Sequence, residues 1–436
     1  MTRSMIFGLL LTTVVCTLTG LAADAAPPRL ATFQCDVTPP LGQKLYAKPL
    51  ATIETPLLAK GIVLDDGGKR YVLCAVDWCG LCGSAHLLFR RKIAAAAGTD
   101  VARVALHTVH QHTAPYINLD ASSLLDKPND PPKTERLRLL AETSDRLAAA
   151  VKESLGRLEP FDSIGTGRAK VERVASIRRV PIEGGKVRTR WSACKDPELR
   201  AMTEGNIDPI LKTVTLARDD KPLVRLHYYA THPQSFYRDG RACYDVPGFA
   251  RERLEKKENV FQIYFTGCGG DVTMGKYNDG TPKARAELSD RLFVGMAASA
   301  AATKLAPIKS VCWRSVPVCL LKKVKAKAAA SEKKGSEAKP PKTEKKSLQL
   351  DLSVLRINNV CILHLPGESM IEFQLFAQRV KPKSFVAVAA YGDLGTGYIC
   401  TEAAFKEGGY EPSASNVVPK SEEILKASIR KALDAE

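Results

Sequence analysis

Short apolar runs bounded by turn residues alternate along this chain with longer stretches that repeat their apolar positions at helical spacing. Thr52 to Asp66 and Arg70 to Asp77 read as two strands joined through the Asp66-Gly67-Gly68 turn. Ala85 to Ala97 reads as a helix closed by Gly98, and Val101 to Val109 as the next strand. Lys133 to Leu158 carries leucine and alanine at helical spacing, and Lys283 to Lys304 predicts a second long helix. Strands are expected at Leu211 to Leu216, Leu223 to Tyr229 and Val260 to Phe265. Leu348 to Leu355 and Val360 to Leu365 form a predicted hairpin across Asn358-Asn359. Glu368 to Val380 reads as helical, Ser384 to Ala390 as a strand, and Lys420 to Leu433 as a closing helix. No internal repeat is visible, and the elements do not follow strict βαβ alternation. The expected fold is therefore α/β, with mixed α+β layers.

The first residues follow a different logic. Arg3 precedes an apolar run from Met5 to Val15, and a softer stretch ends in Ala22-Ala23-Asp24-Ala25-Ala26. A basic start, a short apolar core and a small-x-small site describe a secretory signal peptide, assigned here to residues 1–25. The run is short for a membrane span, so the mature protein is expected outside the cytoplasmic membrane, periplasmic or secreted. Residues 26–436 remain for one domain.

Composition refines this picture in two places. Twelve cysteines suit an oxidising compartment, but without Cys16 an odd number remains, so at least one stays unpaired. Cys79-Gly80-Leu81-Cys82 has redox-motif spacing; with no second pair, and directly after an apolar strand, it reads as structural or incidental. The formal charge of +17 suggests nucleic acid until it is located. Ten lysines and three glutamates between Lys322 and Lys346 supply +7 of it from one low-complexity stretch without aromatics, assigned as an insertion over 322–347. Stacking side chains and a folded basic motif are both missing, which argues against nucleic-acid binding. Salt-sensitive contact with an anionic membrane surface fits the stretch better.

Chemistry concentrates around histidine. Of seven histidines, His107, His110 and His112 fall within six residues of HTVHQHTAP, behind a predicted strand. His110 and His112 would point to one side of an extended backbone, and an H-x-H pair at a strand end is a source of zinc ligands. The plainer alternative is a surface loop. In LHYYATHPQSF, His227 lies within a strand and reads as a packed core residue, while His232 at its exit is the better ligand. Gly267 to Thr273 (GCGGDVT) is a glycine turn that permits close backbone approach; the Walker lysine is absent. Glu368 follows Pro366-Gly367 at an expected helix start, where a carboxylate suits the dipole. Tyr398 and Tyr410, in GTGYICTEAAFKEGGYE, read equally as packing residues.

Together these segments resemble the neutral (alkaline, non-lysosomal) ceramidase family from about Thr32 to Asn416. The matching pieces are CDVTPPLG, TPLLAKGIVLDDGGKRYVLCAVD, HTVHQHTAPY, ATHPQSF, CYDVPGFA, GCGGDVT, PGESM and GYICTEAAFKEGGYE, in family order. The resemblance implies the family's N-terminal catalytic domain and a zinc amidase that splits ceramide into fatty acid and sphingoid base. It implies His110, His232, Glu368 and Tyr398 as Zn2+ ligands, His112 as a proton shuttle and Tyr410 as an oxyanion donor. Arg178 matches an active-site arginine, and Thr273 stands where the family has its catalytic serine. MGKYNDG after Thr273 departs from the usual Ser-Pro-Asn continuation, and no C-terminal immunoglobulin-like domain follows the last motif. A related amidase for a non-ceramide N-acyl substrate, or a catalytically weak binding homologue, are the alternatives that these departures leave open.

Overall fold

The computed structural model describes residues 27–122, 133–323 and 347–434. The segment expected to be a signal peptide (1–25), most of the lysine-rich stretch and residues 123–132 lie outside the described residues. Three sheets carry the architecture. One orders Val104–Thr108, Arg70–Val76, Leu58–Asp65, Arg29–Asp36 and Glu159–Pro160. The second orders Phe261–Thr266, Lys221–Tyr229, Ile210–Arg218, Ser163–Lys170 and Lys304–Pro307. The third orders Val311–Leu321, Ser347–Ile357, Val360–His364 and Phe385–Ala389. Helices cover them, and no sheet closes into a barrel, so the fold is the expected mixed α/β type. Among the described residues no helix is long and apolar enough to cross a membrane.

Each sheet is antiparallel except at one edge pair. Arg70–Val76 runs parallel to Val104–Thr108, Lys221–Tyr229 to Phe261–Thr266, and Val360–His364 to Phe385–Ala389. Parallel pairs are buried on both faces, which is why these strands read as near-continuous apolar runs. Their C-terminal ends are stitched together. Thr108 N donates to Tyr391 O at 2.9 Å, Ala390 N to Thr266 O at 2.9 Å, and Thr266 Oγ1 to Val109 O at 2.7 Å. Open α/β sheets place their sites at such strand ends.

Several boundaries differ from the sequence reading for identifiable reasons. The first expected strand is broken: Thr52–Ile53 pairs with Arg241–Ala242, and Leu58–Asp65 starts anew after Thr55-Pro56. Val101–Arg103 is a 3-10 turn, capped by Asp100, before the strand Val104–Thr108. Glu368 does not start a helix. Glu368–Ser369 forms a two-residue parallel bridge with Tyr398–Ile399, and the helix begins at Ile371. Pro366 and left-handed Gly367 (φ 69°) hold the chain out of helical geometry there. The strands flanking the lysine-rich stretch pair in register from Val311↔Ile357 to Leu321↔Ser347, so the stretch joins neighbouring strand ends.

Candidate metal centre

The loops leaving the three parallel pairs deliver the candidate groups. After Thr108, the chain turns sharply: His110 adopts φ 73°, and its N–H donates to Trp78 O at 3.0 Å. The extended backbone expected for His110 and His112 is therefore not found, because the turn is tied to the segment following the neighbouring strand. The two rings still meet, Nε2 to Nε2, at 3.3 Å. His107, the first of the trio, points elsewhere; its Nδ1 bonds Ala390 O at 2.7 Å, and its ring packs on Phe265 and His364.

Beyond Tyr229, the segment carrying His232 crosses the glycine turn Gly267–Thr273. His232 N donates to Val272 O at 3.0 Å, and its Nδ1 lies 2.5 Å from Gly269 O. A Cβ on Gly269 would stand 3.0 Å from the Thr231 carbonyl carbon and 3.2 Å from His232 N, so only glycine lets the turn approach without displacement. The His110 ring is anchored likewise, Nδ1 to Cys79 O at 2.6 Å. A carbonyl only accepts, so both Nδ1 atoms carry a proton, and in the neutral form of each ring Nε2 presents its lone pair.

Those lone pairs face a carboxylate. Glu368 Oε2 lies 3.3 Å from His110 Nε2 and 3.2 Å from His232 Nε2, and all three residues are buried. Three acceptors converging within 4.8 Å repel one another unless a cation stands among them. Two anchored neutral imidazoles and a carboxylate are the donor set of a divalent metal, with the second-sphere carbonyls such ligands use. The residues present fit that ion. Burial, then Arg178, brings the His232 imidazole down to about 4.

Around this core the other expected residues fall at graded distances. Tyr398, register partner of Glu368, places its hydroxyl 3.4 Å from His232 Nε2. Burial pushes its phenol well above the ordinary value, against the pull of Arg178, whose Nη2 donates to that hydroxyl at 3.2 Å. Arg178 is buried and held by Glu411 at 2.7 Å and by the Gly270 carbonyl. Tyr410, beside Glu411, packs its ring on Tyr398 at 5.6 Å and on half-exposed Trp191 at 5.1 Å. His112 stands under the Tyr46 ring (centroids 4.4 Å), and burial, with His110 and His232, keeps its imidazole well below the ordinary value. Among the described residues its Nδ1 has no hydrogen-bond partner.

Thr273 is fully buried, on a short strand paired with Ser176–Ile177. Its hydroxyl donates to Ser192 Oγ at 2.8 Å, and Ser192 in turn bonds Gln234 Oε1. The metal-facing atoms are not among the hydrogen-bond partners of that hydroxyl.

Two participants carry no signal in the sequence. Tyr391 adopts φ 63°, stacks on His110 (4.3 Å, 25°) and brings its hydroxyl 3.4 Å from His232 Nδ1. Glu411 fixes both Arg178 and Arg179. Left-handed tyrosine is rare enough to matter, but φ is invisible in a sequence, and Glu411 looks like any charge in a polar stretch.

A mixed α/β protein with a two-histidine, one-carboxylate centre at parallel strand ends is thus the class that fold and site define. Solved ceramidase structures share the fold. A ceramidase complexed with C2 superposes with a TM-score of 0.69 at 16% identity, over 93% of this chain and 75% of that one. The neutral ceramidase from Pseudomonas aeruginosa gives 0.68 at 15%, over 94% and 74%. No family model matches the chain, and a search of curated proteins returns no similar sequence.

Proposed function

We propose that this protein is a zinc-dependent amidohydrolase that splits the N-acyl bond of ceramide, releasing a fatty acid and a sphingoid base. The observation that carries the reading is the convergence of His110 Nε2, His232 Nε2 and Glu368 Oε2, on a fold shared with ceramidases. His110, His232, Glu368 and Tyr398 would hold the ion. Bound there, zinc supplies Lewis acidity that activates water and polarises an amide carbonyl. Arg178 donates to the Tyr398 oxygen and favours electron density on it. His112, neutral and with an Nδ1 that has no hydrogen-bond partner among the described residues, accepts a proton and returns it to the leaving amine. Tyr410, held between Tyr398 and Trp191, offers its O–H to the developing oxyanion. Thr273 serves as a positioning hydroxyl through Ser192 and not as a nucleophile. Export after removal of residues 1–25, a single catalytic domain over 26–436, and salt-sensitive contact of the lysine-rich stretch with anionic membranes belong to the same reading.

The test is purified protein analysed for zinc and assayed on N-acylsphingosines, N-acyl amino acids and N-acetyl sugars, alongside His110→Ala. About one zinc per chain and turnover of N-acylsphingosine, both lost in the variant, is the expected result. Turnover confined to non-lipid amides would replace ceramide as substrate while keeping the amidase. Zinc-free protein inert on every amide would leave a binding homologue and sink the proposal.

A further inference from the structure

Cys79 belongs to a C-x-x-C pair that the reading above leaves unused, yet it sits against the centre. Its carbonyl anchors the His110 ring. Its Sγ lies within 4.8 Å of a ring nitrogen of His110 and one of His112, and all three residues are buried. His112 contributes an Nδ1 with no hydrogen-bond partner among the described residues, while its Nε2 stands 3.3 Å from His110 Nε2. The nitrogen His110 can offer to any cation is Nε2, because Nδ1 is committed to Cys79 O at 2.6 Å. That same Nε2 faces Glu368.

We propose that the protein has a second cation position, built from Cys79 Sγ and one ring nitrogen each of His110 and His112, which takes a thiophilic divalent ion such as cadmium. It cannot be filled together with the His110–His232–Glu368 position. One imidazole lone pair coordinates one cation, so the two positions compete for His110. They differ in softness: two nitrogens and a carboxylate oxygen on one side, two nitrogens and a sulfur on the other. A thiolate ligand shifts preference toward soft ions. Binding exchanges the thiol proton for the metal: the S–H bond breaks, H+ leaves to solvent, an S–metal bond forms, and no electrons are transferred. A thiophilic ion held there would withdraw His110 from the first position and inhibit whatever chemistry that position supports. The inference shares His110 with the zinc reading but stands on Cys79 and His112, so the two can fail separately.

The experiment titrates metal-free protein with cadmium, following the ultraviolet sulfur-to-cadmium charge-transfer band and bound metal by equilibrium dialysis. Wild type is compared with Cys79→Ser, His112→Ala and Glu368→Gln, each checked for folding by circular dichroism. The difference between wild type and Cys79→Ser isolates this thiol from exposed Cys312 and Cys319. A saturable band should appear in wild type and persist in Glu368→Gln. Cadmium affinity should fall at least about tenfold in Cys79→Ser and in His112→Ala. Zinc content of Cys79→Ser should match wild type, and zinc and cadmium together should not exceed one ion per chain at these donors. An undiminished band in Cys79→Ser, or both ions bound at once, overturns the inference. A cadmium band of this kind in a protein that never takes up zinc would sustain it while sinking the zinc reading.

Discussion

His227 and His232 stand five residues apart on one segment, both buried, and do opposite things. His227 has both ring nitrogens satisfied, by Thr213 Oγ1 at 2.9 Å and Gln262 Oε1 at 2.7 Å. It belongs to the packed middle of the strand Lys221–Tyr229. His232 has one nitrogen anchored to a carbonyl and the other aimed at a carboxylate that cannot donate to it. Burial lowers both imidazoles to about 4, so neither depth nor basicity separates them. What separates them is whether the second nitrogen finds a donor–acceptor match inside the protein. A matched histidine is architecture; an acceptor set against another acceptor is a vacancy in the charge balance that a cation fits.

The contrast can be broken most severely at His232. His232→Ala should lower zinc content at least about tenfold and amide hydrolysis about 10³-fold or more, while circular dichroism stays native. Retention of both zinc and turnover would erase the distinction. At His227 the reverse is expected: His227→Ala leaves Gln262 and Thr213 unmatched beside a cavity and should cost about 4 kcal/mol in denaturant unfolding. The folded fraction should keep its zinc.

The third expectation concerns acid. The unfolded His227 takes its proton near pH 6.5 and the folded one near 4. Between those values the unfolded chain binds more protons, so stability falls as pH drops through that window. The contribution is roughly 3 kcal/mol. His227→Gln should flatten that part of the stability–pH curve relative to wild type; identical curves would show that the imidazole does not titrate as stated. The smallest effect is placed at Thr273. Thr273→Ser keeps the hydroxyl that donates to Ser192, and turnover should stay within about threefold, under ~0.7 kcal/mol. A hundredfold loss would mean that the methyl group shapes the reacting centre directly.

How much of this was legible follows from what each residue depends on. His110 and His232 could be read because each follows an apolar strand, and strand exits are where sites gather. The relation of Glu368 to Tyr398 could not, since a two-residue parallel bridge leaves no periodic trace. Three long strands were missed, Arg29–Asp36, Ser163–Lys170 and Val311–Leu321, the last two for packing reasons. Ser163–Lys170 carries Gly165 and Gly167, where the pattern would want side chains. A Cβ on Gly167 would lie 1.8 Å from Ser299 O in the covering helix Pro282–Ala301. Val311–Leu321 contains Pro317, which argues against a central strand but is tolerated because this strand is the sheet's edge. The helix Asp245–Glu258 hid behind Pro247-Gly248 and a left-handed Asp245 (φ 51°). The eleven described cysteines are all free thiols, so the odd count expected from the sequence resolves into no bridge among the described residues.

The buried pair of Arg178 with Glu411 closes 233 residues of chain, and that distance sets an order of events. At synthesis rates of roughly 5–20 residues per second, Arg178 leaves the ribosome about ten to fifty seconds before its carboxylate exists. Tyr398, which it also holds, is 220 residues away. The guanidinium therefore spends that interval hydrated, and the wall of the centre that it supports can be raised only once the last third of the chain has docked. On the zinc reading proposed above, ion capture would be a closing act of folding, and the cation would be drawn from the compartment in which folding finishes.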